Sequence, residues 1–480
     1  MAEFTDTTRK LAALLLAGAL SACAGPAQRV AMPVPPERWP ADAADDGAAA
    51  TPLDWRDYFD HPALQALIAR GLACNGDVRT AAARVREAAA LAGLQHANRF
   101  PAIGAGIDVQ RNRIPHDLSP TGHDLLSTQY QAGVQVSWEA DLWGRLAALD
   151  DAALQAWLGS EASRRAVALA LIGQVAERYL ALRELDERIV LAERTLASRN
   201  ASLRIFRRRV EEGATARLDL AQVQTLQTQA EALVSQLRQQ RALQAHALDV
   251  LTGGAGEPPP EQGRFDDLLV LRPLAAGLPS DVLLARPDVA AAERQLRAAR
   301  YQVDAARAAF FPRISLTGSY GSASAQLAGL FDNGSHAWTF APTLAQPLFD
   351  FGRNRANLGA AEARTEAAVA TYDKTIRTAF REVADALASR HHLADQVRIG
   401  ETALAAQRER DRLARLRYDN GATTYLEVLD AQRDLLTAEQ QQVQVRRALL
   451  SAQVSLYLAL GGGSGAVDTA ACTQQGRDHG

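Results

Sequence analysis

The sequence predicts a mainly α protein with a small β part, built as two copies of one unit, and three observations carry that prediction. A shared order of residues recurs at an offset of about 210 positions. Stretches rich in Ala, Leu, Arg, Gln and Glu, all strong helix formers, run for tens of residues without proline. Four shorter segments instead alternate apolar and polar residues with period two, as strands between two different environments do. The chain has 480 residues, 48% of them hydrophobic, which is ample for an extended core. Its 52 Lys and Arg against 55 Asp and Glu give a formal charge of −3, too little for a basic surface that binds phosphate backbones, so no nucleic-acid partner is expected. Cys23, Cys74 and Cys472 form no CxxC or Cys/His cluster, so neither a disulfide framework nor a zinc site is expected, and Cys74 and Cys472 read as unpaired.

The amino terminus reads as an export signal. Arg9 and Lys10 precede an apolar run from Leu11 to Leu20, followed by small residues and then proline-rich sequence. Leu20-Ser21-Ala22-Cys23 resembles a bacterial lipobox, which implies cleavage after residue 22 and a diacylglycerol and N-acyl chain on Cys23. Ala24 lacks the aspartate that retains lipoproteins at the inner membrane, so outer-membrane sorting is expected. Residues 23–52, with Pro33, Pro35, Pro36 and Pro40, suit a lipidated extended tether. No later window is apolar for long enough to make a membrane-spanning helix.

The repeat organises the rest. Phe100-Pro101 recurs as Phe311-Pro312, Gly144-Arg145 as Gly352-Arg353, and Gly213-Ala214-Thr215 as Gly421-Ala422-Thr423, the last two at a constant shift of 208. The first copy spans 53–254 and the second 281–462, with a connection at 255–280 and a polar tail at 463–480. Each copy should run helix, strand, strand, very long helix, tight turn, long helix.

The strand patterns are Ile103, Ala105, Ile107 and Val109 against Gly104, Gly106, Asp108 and Gln110, and Tyr130 to Trp138 against Gln129 to Ser137. Ile314, Leu316 and Tyr320 repeat the pattern, followed by Trp338, Phe340 and Leu344. About ten residues with this alternation fits a tilted outer-membrane barrel strand. Two hairpins cannot close a barrel, so several chains must pool their strands; the pattern permits a dimer with eight or a trimer with twelve. From Leu142 to about Glu211 the chain lacks proline, which makes a helix about 100 Å long. Its stripe Ile172, Val175, Tyr179, Leu182, Leu185, Ile189 and a following stripe Val223, Leu226, Ala230, Leu233, Leu237 predict coiled-coil packing. Gly213 and Gly421 are placed to stop each rod and reverse the chain.

These residues resemble the TolC-like outer-membrane factors of tripartite efflux pumps, specifically the lipid-anchored channels of RND-type systems. The resemblance covers about Leu53 to Gly462. It is carried by Leu284-Ala285-Arg286-Pro287-Asp288-Val289, Ala309-Phe310-Phe311-Pro312, Pro347-Leu348-Phe349-Asp350-Phe351-Gly352, and the run from Tyr418-Asp419-Asn420-Gly421 through Asp430-Ala431-Gln432-Arg433. It implies a homotrimer sharing a twelve-strand β-barrel in the outer membrane and a twelve-helix α-barrel in the periplasm. It also implies partnership with a periplasmic adaptor (membrane fusion) protein and an inner-membrane RND-type pump.

The same resemblance puts a periplasmic gate at Asp219, Tyr418, Glu427 and Asp430, with Glu427 and Asp430 three apart on one helix face. It puts adaptor docking at Gly213, Ala214, Thr215, Leu218 and at Gly421, Ala422, Thr423, Leu426. Thr423 stands where some relatives carry arginine, so that latch is not expected here. The rival readings are a duct for protein secretion, of the type I kind, and a periplasmic coiled-coil scaffold that conducts nothing. No catalytic motif appears, so no enzyme activity, metal or other cofactor is expected. His391 and His392, adjacent on a helix, should point apart in solvent.

Overall fold

A computed structural model describes residues 53–120, 122–254 and 286–462, together with Gly256, Leu271 and Leu274. The signal segment, Cys23, the tether, most of the connection at 255–280 and the tail lie outside the described residues. The described residues run through α1 (Trp55–Tyr58), α2 (Pro62–Cys74) and α3 (Gly76–Ala97), then β1 (Ala102–Ile114) and β2 (Leu125–Ala140). The first long hairpin is α4 (Arg145–Glu211) and α5 (Arg217–Thr252). The second copy follows as α6 (Pro287–Ala308), β3 (Arg313–Ser324), β4 (His336–Ala345), α7 (Arg353–Asp419) and α8 (Tyr425–Ala459). The order expected for each copy therefore holds among the described residues, and α1 and α2 precede it in the first.

Local chemistry sets the element ends. The Asn75 side chain caps α3 by accepting from Asp77 N and Val78 N at 2.8 and 3.3 Å, while Pro62 and Pro287 occupy first-turn positions where no N–H is needed. α4 and α7 are each 67 residues, about 100 Å at helical rise, and no described helix is apolar enough to cross a membrane.

The two hairpins form one antiparallel sheet in the order β1-β2-β3-β4, joined at its centre by β2 and β3. Register sorts most of the side chains by face. Ile103, Ile107 and Val109 face the same side as Val136, Ala132 and Tyr130 across β1-β2, and Val134 opposes Tyr320, which opposes Trp338. The other side carries Asp108, Gln131, Gln135, Ser319, Thr317, Thr339 and Thr343. Among the described residues nothing covers the apolar side: Ile103 is 72% exposed and Trp338 74%. β1 and β4 pair on one side only among the described residues.

The main core sits where the helices meet. Tyr58, Phe59, Leu64, Ile68 and Leu72 of the α1-α2 segment pack on Ile172, Val175 and Tyr179 of α4 and on Val454 and Tyr457 of α8. Tyr58 stacks on Tyr457 with ring centroids 4.4 Å apart, and burial pushes both phenols up from their ordinary range. The apolar stripe of α4 is thus only partly a coiled-coil seam. Its lower half, from Leu185 to Ala192, meets Val234 and Leu237 of α5 as expected, but its upper half belongs to a multi-helix core that includes α1 and α2. Those short helices carry too little periodic pattern for sequence alone to reveal them. Between the two regions charges are paired within and across helices: Asp186 is held by Arg183 of α4 itself and by Arg241 of α5, while Arg447 and Arg446 of α8 reach Glu184 and Glu187 of α4. Such pairs fix register, since removing one partner strands a buried charge.

Two expectations are corrected. Cys74 is disulfide-bonded rather than a free thiol, as an oxidising compartment permits. His391 and His392 do not point apart: their rings lie 5.2 Å centroid to centroid, because a helix backbone lets neighbouring side chains lean together at the surface. No group of three or more metal-capable side chains occurs among the described residues.

Candidate functional site at the helical tips

Both rods end in the same turn. Gly213 and Gly421 hold φ of 73° and 74°, a left-handed conformation open to glycine. At the first tip Gly213 N donates to the Val210 carbonyl at 3.1 Å and Ala214 N to the Arg209 carbonyl at 2.7 Å. At the second, Gly421 N donates to Tyr418 and Ala422 N to Arg417, at 2.9 and 2.8 Å. This double closure satisfies carbonyls that the helix end leaves free and reverses the chain. No atom lies near the space a Cβ would occupy at Gly213 or Gly421, and Ala214 and Ala422 are exposed beside them. Leu218 and Leu426, one turn further on, are 67% and 47% exposed. The expected docking positions therefore form two equivalent bare turns, each with an apolar knob.

Asp219 and Glu427 are repeat equivalents in the first turns of α5 and α8, where a helix N-terminus favours negative charge. Thr215 Oγ1 donates to Asp219 Oδ2 at 2.7 Å, and Thr423 Oγ1 makes the matching bond to Glu427. Glu427 also pairs with Arg417 at 2.7 Å, and Asp430 with Arg433 at 3.3 Å. The two carboxylates share a helix, as their spacing predicts, but each lies beside an arginine, Arg433 being shared between Asp430 and Asp434, so their field is partly cancelled within the chain.

Tyr418 bridges the two hairpins of the chain. Its hydroxyl accepts a 2.6 Å hydrogen bond from Arg209 Nη1, joining the end of α7 to the end of α4. Tyr425 reinforces the junction: it packs on Phe206 at 4.8 Å and on Tyr418 at 4.9 Å, and its hydroxyl bonds Ser202 Oγ. Leu203, Phe206, Val223 and Leu429 close the small core beneath. Sequence reading missed Arg209, Ser202, Tyr425 and Arg417. A signal existed for two of them, since Arg209 and Arg417 stand at matched repeat positions. The repeat also explains their different roles: Val210 matches Tyr418, so only the contact from the first repeat to the second finds a hydroxyl.

The family model described as outer membrane efflux protein matches residues 67–254 and 278–462. The chain is 41% identical over 434 residues to the solvent efflux pump outer membrane protein SrpC of Pseudomonas putida, covering 89% of this chain and 92% of that protein. It is 41% identical over 464 residues to outer membrane protein OprJ of Pseudomonas aeruginosa, covering 94% and 95%. The open state of the Neisseria gonorrhoeae MtrE outer membrane channel superposes with a TM-score of 0.81 at 33% identity, covering 91% of this chain and 97% of that one.

Proposed function

The chain belongs to the outer membrane efflux protein family, and on that premise we propose that it is the passive, homotrimeric exit duct of a tripartite efflux pump. The observation that carries the reading is the sheet register. A four-stranded sheet with one mostly apolar exposed face, one mostly polar face and two edges unpaired among the described residues has no stable place in water. It fits a barrel wall, with the apolar face toward lipid, the polar face toward a water-filled lumen, and the edges joined to sister chains. Three copies give twelve strands, above the roughly eight a closed barrel needs, and continue below as twelve helices.

The tips supply the gate and the docking site. Asp219, Glu427 and Asp430 line the narrow end, and Tyr418 with Arg209 holds the second hairpin against the first. The turns at Gly213 to Leu218 and Gly421 to Leu426 receive the helices of a periplasmic adaptor, which links the duct to an inner-membrane RND-type pump. No step in this role needs catalysis or a resident cofactor, and Cys23 carries the acyl anchor. Small apolar molecules and drugs are the exported class in this reading, supported by relatives named for solvent and antibiotic efflux rather than for protein secretion. The test is conductance of the purified chain in planar lipid together with particle imaging. Long hollow threefold particles that conduct ions support the proposal, and a compact monomer or a silent bilayer refutes it.

A further inference from the structure

We infer that Phe351 stacks on Phe100 of the partner subunit, closing the junction between neighbouring copies of this chain as Trp143 on Phe311 closes the junction between its two repeats. The inference rests on the channel reading above, which requires neighbouring copies.

The template lies inside the chain. Trp143, between β2 and α4, stacks on Phe311, between α6 and β3, with ring centroids 5.0 Å apart and planes at 19°. Its Nε1 donates to the Pro312 carbonyl at 2.8 Å. The repeat maps Trp143 onto Phe351 and Phe311 onto Phe100. These two rings flank opposite edges of the sheet: Phe100 precedes β1 and Phe351 follows β4. Phe351 is 92% exposed and Phe100 58%, so each presents apolar surface at an open edge. Phe351 also has a φ of 54°, the one positive value among described non-glycine residues, a conformation that persists where surroundings hold it in place.

The neighbouring helices show the same missing half. α6 buries Val289, Leu296 and Val303 together with Ala291, Ala298 and Ala305, because it is held between α4 and α7. Its counterpart α3 buries only Val78, Val85 and Ala92, against α4 and α2. Leu94 stands where α6 has the buried Ala305, yet it is 61% exposed. The bare face of α3 thus continues the surface on which Phe100 lies.

Strand register gives an independent check. Gln135 opposes Ser319 in the internal junction, and the repeat maps this pair onto Thr343 and the partner's Asp108. Val136 opposite Gly318 maps likewise onto Leu344 and the partner's Ile107. At Leu344 and Pro342 apolar residues therefore meet the partner's Ile107 and the partner's Val109, and a slip of one residue would invert the two faces there. The template departs at three pairs: Gly133 opposite Gly321 is replaced by Ala341 and the partner's Gln110, so the strands approach less closely there, and Phe340 and Trp338 meet the partner's Arg111 and the partner's Arg113.

The experiment co-expresses two differently tagged full-length copies, one carrying Phe351→Cys and the other Phe100→Cys, and treats isolated outer membranes with a short bismaleimide. A mixed-tag adduct formed by the pair and not by either single variant is expected. Trp143→Cys with Phe311→Cys in one chain should give no intermolecular adduct. Thr343→Cys and Asp108→Cys, split between the two copies, should form a disulfide and test the seam without touching either ring. A conducting threefold particle that gives neither adduct overturns the seam and leaves the channel reading standing. A monomer that does not conduct overturns both.

Discussion

Replacing Tyr418 by phenylalanine deletes one oxygen from the junction between the tips and keeps the ring that packs 4.9 Å from Tyr425. The lost interaction is the hydrogen bond from Arg209 at 2.6 Å. A bond to a charged donor contributes about 1.5–3 kcal/mol when sheltered. Both partners here are at least partly exposed, and screening reduces the value to about 1 kcal/mol. That is about a fivefold change in the balance between a tied and a released tip. If the three subunits of the proposed trimer open together, the losses add to about 3 kcal/mol, a shift of more than about a hundredfold. Single-channel recording of the Tyr418→Phe protein in planar lipid should therefore show a large rise in open probability at unchanged fold. Arg209→Ala should do the same, and the double variant should add little, because both substitutions remove one bond. Open probability unchanged in both single variants would refute the tie.

The remaining expectations concern other parts of the duct. Glu427→Ala with Asp430→Ala should raise conductance and abolish block by multivalent cations in bilayer recordings; block that persists removes these carboxylates from the pore. Cysteines introduced at Ala214 or Ala422 should crosslink to the adaptor in intact cells, and absence of any adduct counts against docking at the turns. Cys23→Ala should abolish incorporation of labelled palmitate, whereas continued labelling would locate the anchor elsewhere. Arg286 is buried, bonds Asp288 and Glu382 at 2.7 and 2.8 Å and donates to the Ala459 carbonyl at 3.0 Å. Arg286→Ala should cost about 2 kcal/mol, below the range for fully buried pairs because both carboxylates keep solvent contact. Burial alone would raise the Asp288 carboxyl, but hydrogen bonding and charge from Arg286 outweigh it and hold it below the usual range. A carboxyl lowered on folding stabilises above its unfolded value near pH 4 and loses that contribution as pH falls through the lowered value. The melting difference between wild type and Asp288→Asn should therefore narrow on acidification; a constant difference would deny the pair its role.

Much of this molecule was legible in its residue order, because its elements report themselves through periods that need no tertiary information. Alternation from Ile103 to Val109 and from Tyr130 to Trp138 fixed the strands and the chemistry of each face, since side chains on a strand must point to opposite sides. The absence of proline from Leu142 to Glu211 fixed the rods, and Gly213 and Gly421 fixed their ends, since a left-handed turn excludes most other residues. The shift of 208 between Gly144 and Gly352 fixed the order of everything else.

Contacts between elements were a different matter, because they join residues whose separation carries no periodic trace. The pairing of β2 with β3 turned two hairpins into one sheet. The bond from Arg209 to Tyr418 and the packing of Tyr425 on Phe206 made two turns into one junction. The α1-α2 segment inserted Tyr58 and Phe59 into a core that a coiled-coil reading gave to α4 and α5 alone. A chain's order determines which conformations each stretch can hold, as local sterics and solvation act over a few residues. Which stretches then touch was decided only when the whole chain closed on itself, since complementary surfaces have meaning only in pairs.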